Sequence, residues 1–342
     1  MDVAIVILNW NGGKMLRRYL PSVVRTASAF GGGGSGDSAF VVVADNGSTD
    51  DSLAILKSEF PQVRTIRFFR NWGFTGGYNR ALQQVDADYY IILNDDVAVE
   101  DGWIEPLFEF MEENPEAGAC QPKMLADTDR TSFEYAGACG GFIDRFGYPF
   151  CRGRILSNLE KDNGQYDEPM ETFWATGACM MIRSSLFHHL GGFDDRFFAH
   201  MEEIDLCWRA KLLGYQIWCV PQSKVYHLGG GTLPNNSPHK LYLNYRNNLL
   251  MLYKNLPESI RGGRIRQRML LDSASAAVYL LTGRLSFFKA VCTAHRDFRR
   301  MRGELEPSPF EVEMNNIGYF DKSIIFQFFL HRRKLTFDSL DI

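Results

Sequence analysis

The sequence lacks the features that define several classes of protein. Its seven cysteines, among 342 residues, form no C-x-x-C pair and no zinc-type spacing, which excludes a disulfide miniprotein. No apolar run approaches the 18 residues of a membrane-spanning helix, and residues 3–8 are too short for a signal peptide core. The sequence has neither G-x-G-x-x-G nor a Walker loop, which weakens dinucleotide and P-loop interpretations. We therefore expect a reduced, cytoplasmic protein without a transmembrane segment.

The charge of the chain is unevenly distributed. Residues 1–239 carry 20 Lys and Arg against 31 Asp and Glu, whereas residues 240–342 carry 17 against 10. An acidic body with a basic tail indicates two roles, and the tail favours an anionic partner. Its basic residues form three clusters, at 261–268, 296–302 and 332–334; they alternate with phenylalanines and match no nucleic-acid reader module. The tail therefore predicts an anionic membrane surface, with a homo-oligomer interface or a solvated helical appendage as the alternatives, and no nucleic-acid partner.

Strand and helix signals alternate over the first 120 residues. Apolar runs at residues 3–8, 40–44, 63–69 and 89–93 predict buried strands. Helical periodicity lies between them at residues 15–24, 51–60 and 77–85, with a kink expected at Pro21 and a cap at Ser48, Thr49 and Asp50. This alternation predicts a mostly parallel sheet covered by helices on both faces. Later, residues 202–213 predict one helix, and the basic segment after residue 240 is mainly helical.

Each of the four predicted strands is followed by polar residues. These are Asn9, Asp45, Asn71 and the run of Asn94, Asp95 and Asp96. Because parallel strands end at the same edge of a sheet, where ligands bind, these side chains are expected to lie together. The adjacent carboxylates of Asp95 and Asp96 suit a hard divalent cation such as Mg²⁺ or Mn²⁺. Glycines after Asn71 open a helix whose N–H groups suit a diphosphate.

A series of motifs extends this pattern along the chain. They are VAIVILNWNG (3–12), ADNGSTD (44–50), NWGFTGGYN (71–79), LNDDV (93–97), WATGAC (174–179), GGFD (191–194), EEIDL (202–206) and HLGGGT (227–232). In this order they resemble the family 2 glycosyltransferases, and most closely the rhamnosyltransferase-like branch. The resemblance implies an α/β GT-A fold, Rossmann-like with a mostly parallel central sheet flanked by helices, at residues 1–255. A basic, mainly helical C-terminal extension would then occupy residues 256–342.

The resemblance also implies an activity and two binding regions. Such enzymes are inverting glycosyltransferases that move a sugar from a nucleotide diphosphate donor to a glycan or lipid-linked glycan, here in cell-surface polysaccharide synthesis. The donor-binding residues implied are Asn9, Asp45, Asn71, Gly73, Gly76, Gly77, Asn79 and Asp95. The acceptor-binding residues implied are Trp174, Gly177, Ala178 and Asp205. A protein that acts on a lipid-linked acceptor is expected on the inner face of the membrane, held there by the basic tail.

The catalytic groups implied by the resemblance depart from the family pattern at two positions. The divalent cation, Mn²⁺ or Mg²⁺, is assigned to Asp96 and His227, and Asn94 stands where an acid is frequent. The family's catalytic aspartate corresponds to Glu203, one methylene longer, with Glu202 as the alternative base. Arg209, on the same helix, is expected to be a structural ion-pair partner.

Two alternatives remain open from the sequence. A sugar nucleotidyltransferase shares the sheet and the metal-binding acids, but it needs a basic glycine-rich loop after the first strand, where this chain has only Lys14. A catalytically impaired nucleotide- or glycan-binding module is motivated by Asn94 and Glu203. Donor turnover distinguishes both from a glycosyltransferase.

Overall fold

The computed structural model of the protein describes residues 1–31, 36–229, 237–309, 314–331, 335–340 and 342. Parts of three sequence features lie outside these residues. They are residues 32–35 of the glycine-rich segment GGGGSG (31–36), the end of the HLGGGT motif at 230–232 and the basic residues at 332–334.

The strands within the described residues begin with an alternating α/β half. They are β1 (Asp2–Asn9), β2 (Ser38–Asp45), β3 (Arg64–Arg67), β4 (Tyr89–Asn94), β5 (Val97–Val99), β6 (Ala117–Ala126), β7 (Asp129–Phe133), β8 (Gly141–Ile143), β9 (Pro149–Cys151), β10 (Arg154–Ile155), β11 (Asn158–Leu159), β12 (Met170–Thr172), β13 (Cys179–Arg183) and β14 (Gln216–His227). The four strands predicted from apolar runs are β1 to β4, and all four are confirmed.

The helices flank the strands and then continue alone toward the C-terminus. They are α1 (Gly13–Ala29), α2 (Ser52–Glu59), α3 (Gly73–Leu82), α4 (Ile104–Glu113), α5 (Ser184–His189), α6 (Glu202–Leu212), α7 (Pro238–Asn255), α8 (Glu258–Leu281), α9 (Leu285–Met301) and α10 (Ile324–Leu330). Short 3₁₀ turns occur at Asp195–Phe197, Arg302–Glu304, Met314–Ile317 and Phe337–Ser339. Helix α6 matches the predicted helix at residues 202–213 to within one residue.

The large sheet has the order β12-β14-β6-β13-β4-β1-β2-β3. Strands β3, β2, β1 and β4 run parallel to one another, and β13 pairs antiparallel between β4 and β6. Apolar clusters pack on both faces of this sheet, so its central strands have continuous apolar sequences. A second, small sheet has the order β11-β10-β9-β8. The four parallel strands place Asn9, Asp45 and Asn94 at one edge, as predicted.

Three local expectations are corrected by the structure. Helix α3 begins at Gly73, four residues before the predicted start, because the carbonyl of Phe198 accepts the N–H of Phe74 at 2.7 Å. Of the three residues expected to cap α2, Asp50 accepts the Ser52 N–H at 3.1 Å. Ser48 bonds instead to the β1 end, as described below. Six cysteines are buried, and Cys292 is exposed rather than in the core.

The C-terminal helices pack partly against the body of the protein. Arg268 of α8 is buried, and its guanidinium donates to Asp272 at 2.8 Å and to the carbonyl of Phe146 at 2.9 Å. One member of the predicted basic clusters is therefore an internal ion pair. In the described part of the chain, no helix combines the length and apolar character needed to cross a bilayer. The division at residue 255 falls between α7 and α8 and stays a prediction.

Candidate functional site

The ends of β1 and β2 form a buried polar junction. Asn9 and Asp45 are paired in the register of the two strands, and both are buried. The Asn9 side-chain amide donates to Asp45 Oδ1 and to Ser48 Oγ, each at 3.1 Å, and Asp45 Oδ2 accepts the Ser48 N–H at 3.1 Å. Asn9 Oδ1 is buried without a hydrogen-bond partner. The structure thus brings together two residues predicted to bind the sugar nucleotide. It leaves the Asn9 Oδ1 oxygen without a hydrogen-bond partner.

The glycine-rich turn is held against this junction by Asn46. The Asn46 amide donates to Asn71 Oδ1 and to the carbonyl of Gly73, each at 3.0 Å, and its oxygen accepts the Trp72 N–H at 3.0 Å. A Cβ at Gly77 would lie 2.7 Å from the Leu8 side chain, so this close approach of α3 to β1 requires glycine. Sequence reasoning gave Asn46 no separate role, although it is the second residue of the Asp45-Asn46 pair.

Asn79 lies away from this edge. Its amide bonds to both backbone groups of one residue on a distant loop, accepting the Phe193 N–H at 2.9 Å and donating to the Phe193 carbonyl at 2.8 Å. It lines a cavity of about 600 Å³ whose described lining contains no residue of the sheet edge. Charges there are paired, as in Arg80 with Asp195 and Arg196 with Asp194. Its surroundings are those of a structural clamp rather than of the expected donor contact.

Asp96 and His227 meet at the other side of the edge. Asp96 Oδ1 lies 3.0 Å from His227 Nε2, and both residues are buried. The pairing of β5 with β14 sets His227 opposite Val97, next to Asp96 in the chain. Asn94 Nδ2 lies 3.4 Å from the same imidazole nitrogen. Two residues 131 positions apart, predicted as metal ligands, are therefore neighbours.

The surroundings of this pair are strongly acidic. Glu134 Oε1 lies 3.4 Å from His227 Nδ1. Burial lowers the pKa of His227, but the neighbouring carboxylates of Asp96 and Glu134 outweigh burial and raise that pKa to about 10. Burial, with the neighbouring Asp96 charge, raises the pKa of Asp95 to about 7. Glu134 was missed by sequence reasoning because it stands in no motif.

The donor atoms of this pair fit a divalent cation held jointly with a substrate. A carboxylate and an imidazole leave further coordination positions for phosphate oxygens and water, as Mg²⁺ and Mn²⁺ sites commonly do. No cluster of three or more His, Cys, Asp or Glu suited to a metal occurs among the residues that the structure describes.

Two neighbouring carboxyl groups open helix α6, Glu202 buried and Glu203 half-buried. Glu202 and Glu203 each have an Oε2 atom that is buried without a partner. Burial raises the pKa of Glu202 well above its usual range, and the charge of Glu203 raises it further. Burial also raises the pKa of Glu203, to about 7, against the lowering effect of the backbone N–H groups of Glu203 and Ile204. Perturbed acids of this kind are candidates for proton transfer.

A turn connects the acid pair to the sheet edge. A Cβ at Gly177 would lie 3.6 Å from Glu203 Cβ and 3.3 Å from the ring of Phe74. The carbonyl of the next residue, Ala178, accepts the Asn94 N–H at 3.0 Å. Gly177 and Ala178 therefore connect the predicted base to Asn94, whose side chain neighbours His227.

Two residues expected at the acceptor side have structural surroundings instead. Trp174 is 3% exposed, and its indole N–H donates to the carbonyl of Phe142 at 3.0 Å, so it is a packing residue. Asp205 is fully buried, with one oxygen bonded to Asn255 at 2.8 Å and the other to Arg209 at 2.8 Å and Lys254 at 2.9 Å. Neither presents a free group to an acceptor. The expected ion-pair role of Arg209 is confirmed, with Asp205 as its partner.

The loop before the acid pair has a strained backbone. Phe198, His200 and Met201 have positive φ angles of 65°, 71° and 73°, a region that non-glycine residues adopt at a cost. The side chain of Asn247 is fully buried and lies within hydrogen-bond distance of three carbonyls of this loop. They belong to Phe197 at 3.0 Å, Ala199 at 2.8 Å and His200 at 2.7 Å. Helix α7 therefore holds this loop in place. The loop contacts α3 through the Phe198 carbonyl, and it ends directly before the acids of α6.

We expect the Asn247→Ala variant to lower the free energy of unfolding by about 1–3 kcal/mol, because buried carbonyls lose their donor. Urea titration of the variant and the wild type measures this difference. Asn163→Ala, at an exposed position, is the matched control and should leave the midpoint unchanged. Equal midpoints for wild type and Asn247→Ala would contradict the clamp.

These features together are the architecture of a GT-A glycosyltransferase. The chain matches the sequence profile of Glycosyl transferase family 2 over residues 4–191, more than half of its length, and belongs to that family. It is 28% identical over 239 residues to the N-acetylglucosaminyl-diphospho-decaprenol L-rhamnosyltransferase of Mycobacterium tuberculosis, an alignment covering 65% of this chain and 75% of that protein. The family expected from the motifs, with its rhamnosyltransferase-like resemblance, is confirmed.

Solved structures show the same fold at low sequence identity. The S. aureus TarS 1–349 structure in complex with UDP-GlcNAc has a TM-score of 0.55 at 16% identity, covering 85% of this chain and 79% of that one. The GalNAc-T7 structure with UDP, GalNAc and Mn²⁺ has a TM-score of 0.53 at 17% identity, covering 74% of this chain. The chain spans 47% of GalNAc-T7. The predicted fold class is therefore confirmed.

Proposed function

We propose that this glycosyltransferase is an inverting, divalent-cation-dependent enzyme that moves a sugar from a nucleotide diphosphate to a glycan or lipid-linked glycan. One observation carries the proposal. Gly177 lies beside Glu203 of α6, and Ala178 bonds to Asn94, which neighbours the Asp96–His227 pair, so one short turn connects the acids of α6 to the predicted metal ligands. This arrangement suits a reaction that stabilises a leaving group on one side and removes a proton on the other.

The donor nucleotide is assigned to the junction of β1, β2 and α3. The unpartnered Asn9 Oδ1 suits a hydroxyl or N–H group of the nucleotide, and Asp45 fixes the Asn9 amide in place. Asp95 lies beside the same atom, since a Cβ at Gly12 would meet both Asp95 Oδ2 and Asn9 Oδ1 within 2.5 Å. Asn71 and the glycines at 73, 76 and 77 form the wall of this region. Asn79 supports that wall indirectly through its loop contact.

Asp96 and His227 are the residues that would hold Mn²⁺ or Mg²⁺. When bound, the cation supplies positive charge for the diphosphate that leaves. Glu134, beside the other imidazole nitrogen, orients the His227 ring, as carboxylates next to a metal-binding histidine commonly do. The GalNAc-T7 structure was determined with Mn²⁺ and UDP, which supports the same choice of cation here.

Glu203 is the proposed base of a single displacement. The acceptor hydroxyl oxygen forms a bond to the anomeric carbon as the bond from that carbon to the diphosphate oxygen breaks. The electron pair leaves with the nucleoside diphosphate, and the hydroxyl proton passes to the Glu203 carboxylate. Attack opposite the leaving group inverts the anomeric carbon. A base with a pKa of about 7 is matched to reaction near neutral pH.

The substrates are proposed from the relatives. The mycobacterial relative is named as an L-rhamnosyltransferase acting on a diphospho-decaprenol-linked sugar. We assign this chain the same substrate classes, an activated hexose and a lipid-linked glycan, in cell-surface polysaccharide synthesis. Such an acceptor places the protein on the cytoplasmic face of a membrane. Membership of the family favours this activity over the nucleotidyltransferase alternative.

A donor panel tests the proposal. The chain is mixed with UDP-, GDP- and dTDP-linked sugars in Mn²⁺, Mg²⁺ or EDTA, and nucleoside diphosphate release and melting temperature are measured. We expect one nucleoside diphosphate to raise the melting temperature only with the cation. The corresponding sugar nucleotide should be turned over under the same conditions. A melting-temperature rise without turnover or hydrolysis would support the binding-module alternative instead.

A further inference from the structure

Helices α8 and α9 form a hairpin whose tip stands clear of the protein body. The buried residues of α8 are Ile265, Arg268, Asp272 and Ala276, all in its first four-fifths. From residue 277 to residue 289, across the turn into α9, no residue is buried. The tip is therefore held by the hairpin base and covered by nothing in the described part of the chain.

The exposed side of this hairpin is apolar. Leu270, Val278 and Leu281 are 70%, 58% and 87% exposed, and Ala274 lies exposed between them at helical spacing. This stripe extends about 16 Å along α8, at 1.5 Å per residue. Leu280 and Leu285 widen it at the tip. An exposed apolar stripe on a helix marks an interaction surface rather than a core face.

The exposed charges at the hairpin tip are positive. Residues 273–295 contain no Asp or Glu, whereas they include Arg284 and Lys289; Arg296, further along α9, pairs with Asp297. The Arg284 guanidinium stacks on the ring of Phe287 at 3.9 Å, so the charge and the aromatic side chain share the turn. Apolar and aromatic side chains flanked by cations are typical of helices that lie in a membrane interface.

We propose that this hairpin tip inserts into the surface of an anionic lipid bilayer and docks the enzyme there. This inference rests on the proposed function only for the reason why the enzyme would dock at a membrane, where a lipid-linked acceptor is presented. A second copy of the chain is the less suitable occupant, because two tips of the same positive charge repel each other. An anionic bilayer offers both apolar volume and the complementary charge.

Only part of the basic tail is assigned to contact with the membrane. Arg268 is used internally by Asp272, so it is not available to lipid headgroups. The insertion is assigned to the leucines of the tip, and the long-range attraction to the cations at the tip, Arg284 and Lys289. Docking should therefore require both an apolar and a salt-sensitive contribution.

Vesicle sedimentation of the full chain tests this inference. Vesicles of neutral phosphatidylcholine, or of phosphatidylcholine with phosphatidylglycerol, are pelleted with the wild type at low and high salt. We expect binding to the anionic vesicles, weakened by salt. Leu281→Asp should lower the partition coefficient by about tenfold or more, because a leucine is replaced by an anion in the interface. Leu159→Asp, exposed on the small sheet, is the matched control and should bind like wild type.

Three outcomes would overturn the inference. They are absence of binding to anionic vesicles, equal binding by the Leu281→Asp and wild-type chains, and a dimer in sedimentation velocity that Leu281→Asp dissociates. Nucleoside diphosphate release from a donor with soluble acceptor is measured on the same samples. That rate should be unchanged by Leu281→Asp. If no donor is turned over but the vesicle results hold, the proposed function fails while the docking surface stands.

Discussion

Replacing Glu203 by glutamine is expected to lower kcat by about 10²–10⁴-fold while nucleotide binding stays unchanged. The range is that of a positioned general base, and glutamine preserves the size of the side chain but accepts no proton. Because Glu203 lies beside Gly177 rather than at the Asn9–Asp45 junction, its loss should not disturb the nucleotide. Turnover of the donor identified by the panel measures kcat, and titration calorimetry measures nucleoside diphosphate affinity.

Glu202→Gln is the matched control for this variant. Glu202 is buried in the same helical turn, and its pKa is raised more strongly, so it is expected to be neutral when Glu203 accepts a proton. We therefore expect Glu202→Gln to retain most of the activity. A large loss in Glu202→Gln together with full activity in Glu203→Gln would assign the base to Glu202.

The pH dependence of the wild type provides a second readout. A base whose pKa is raised to about 7 is deprotonated only above that value, so kcat should fall as the pH is lowered through about 7. An ordinary glutamate, with a pKa of about 4.3, would sustain activity to much lower pH. The residual rate of Glu203→Gln should lack this inflection. A wild-type plateau extending to pH 5 would contradict the proposed base.

The parallel half of the fold was predictable because the signal for each strand lies within the strand's own sequence. Strands β1, β2 and β4 are buried on both faces, so their sequences are continuous apolar runs. The polar residue after each run then marks the carboxyl edge. Asn9 and Asp45 were found in this way, without knowledge of any contact. The meeting of Asp96 and His227 depended on the motif order, because the pairing of β5 with β14 has no local signal.

The contacts that the sequence could not show are those with distant partners. Asn79 is fixed by Phe193, 114 residues further on, and Asp205 by Lys254 and Asn255 of α7. A motif position tells which residue is present but not whether its atoms are already engaged. Trp174 illustrates the same limit, since an aromatic side chain suits both a sugar-binding wall and a packed interior. Asn247 was not predicted because it stands in no motif, in a segment for which the sequence indicated only a basic and mainly helical character.

Asp96→Ala is expected to abolish the cation-dependent rise in melting temperature and to lower kcat by about 10²–10³-fold. The proposed pair loses its carboxylate, and His227 alone is a poor ligand for Mg²⁺ or Mn²⁺. Nucleoside diphosphate titrations with Mn²⁺ and with EDTA measure the effect. The wild type should lose affinity in EDTA, whereas the variant should bind weakly and equally in both.

The control for this variant lies at the other end of the same strand. Asp86→Ala removes an exposed acid just before β4 and should retain cation-dependent binding. Asp96→Asn separates charge from shape, because the amide keeps the size of the side chain and removes its negative charge. We expect it to behave like Asp96→Ala toward Mn²⁺. Cation-dependent nucleotide binding that persists in both Asp96 variants would show that Asp96 is not a ligand, and the acids left at the edge, Asp95 and Glu134, would then be the candidates to test.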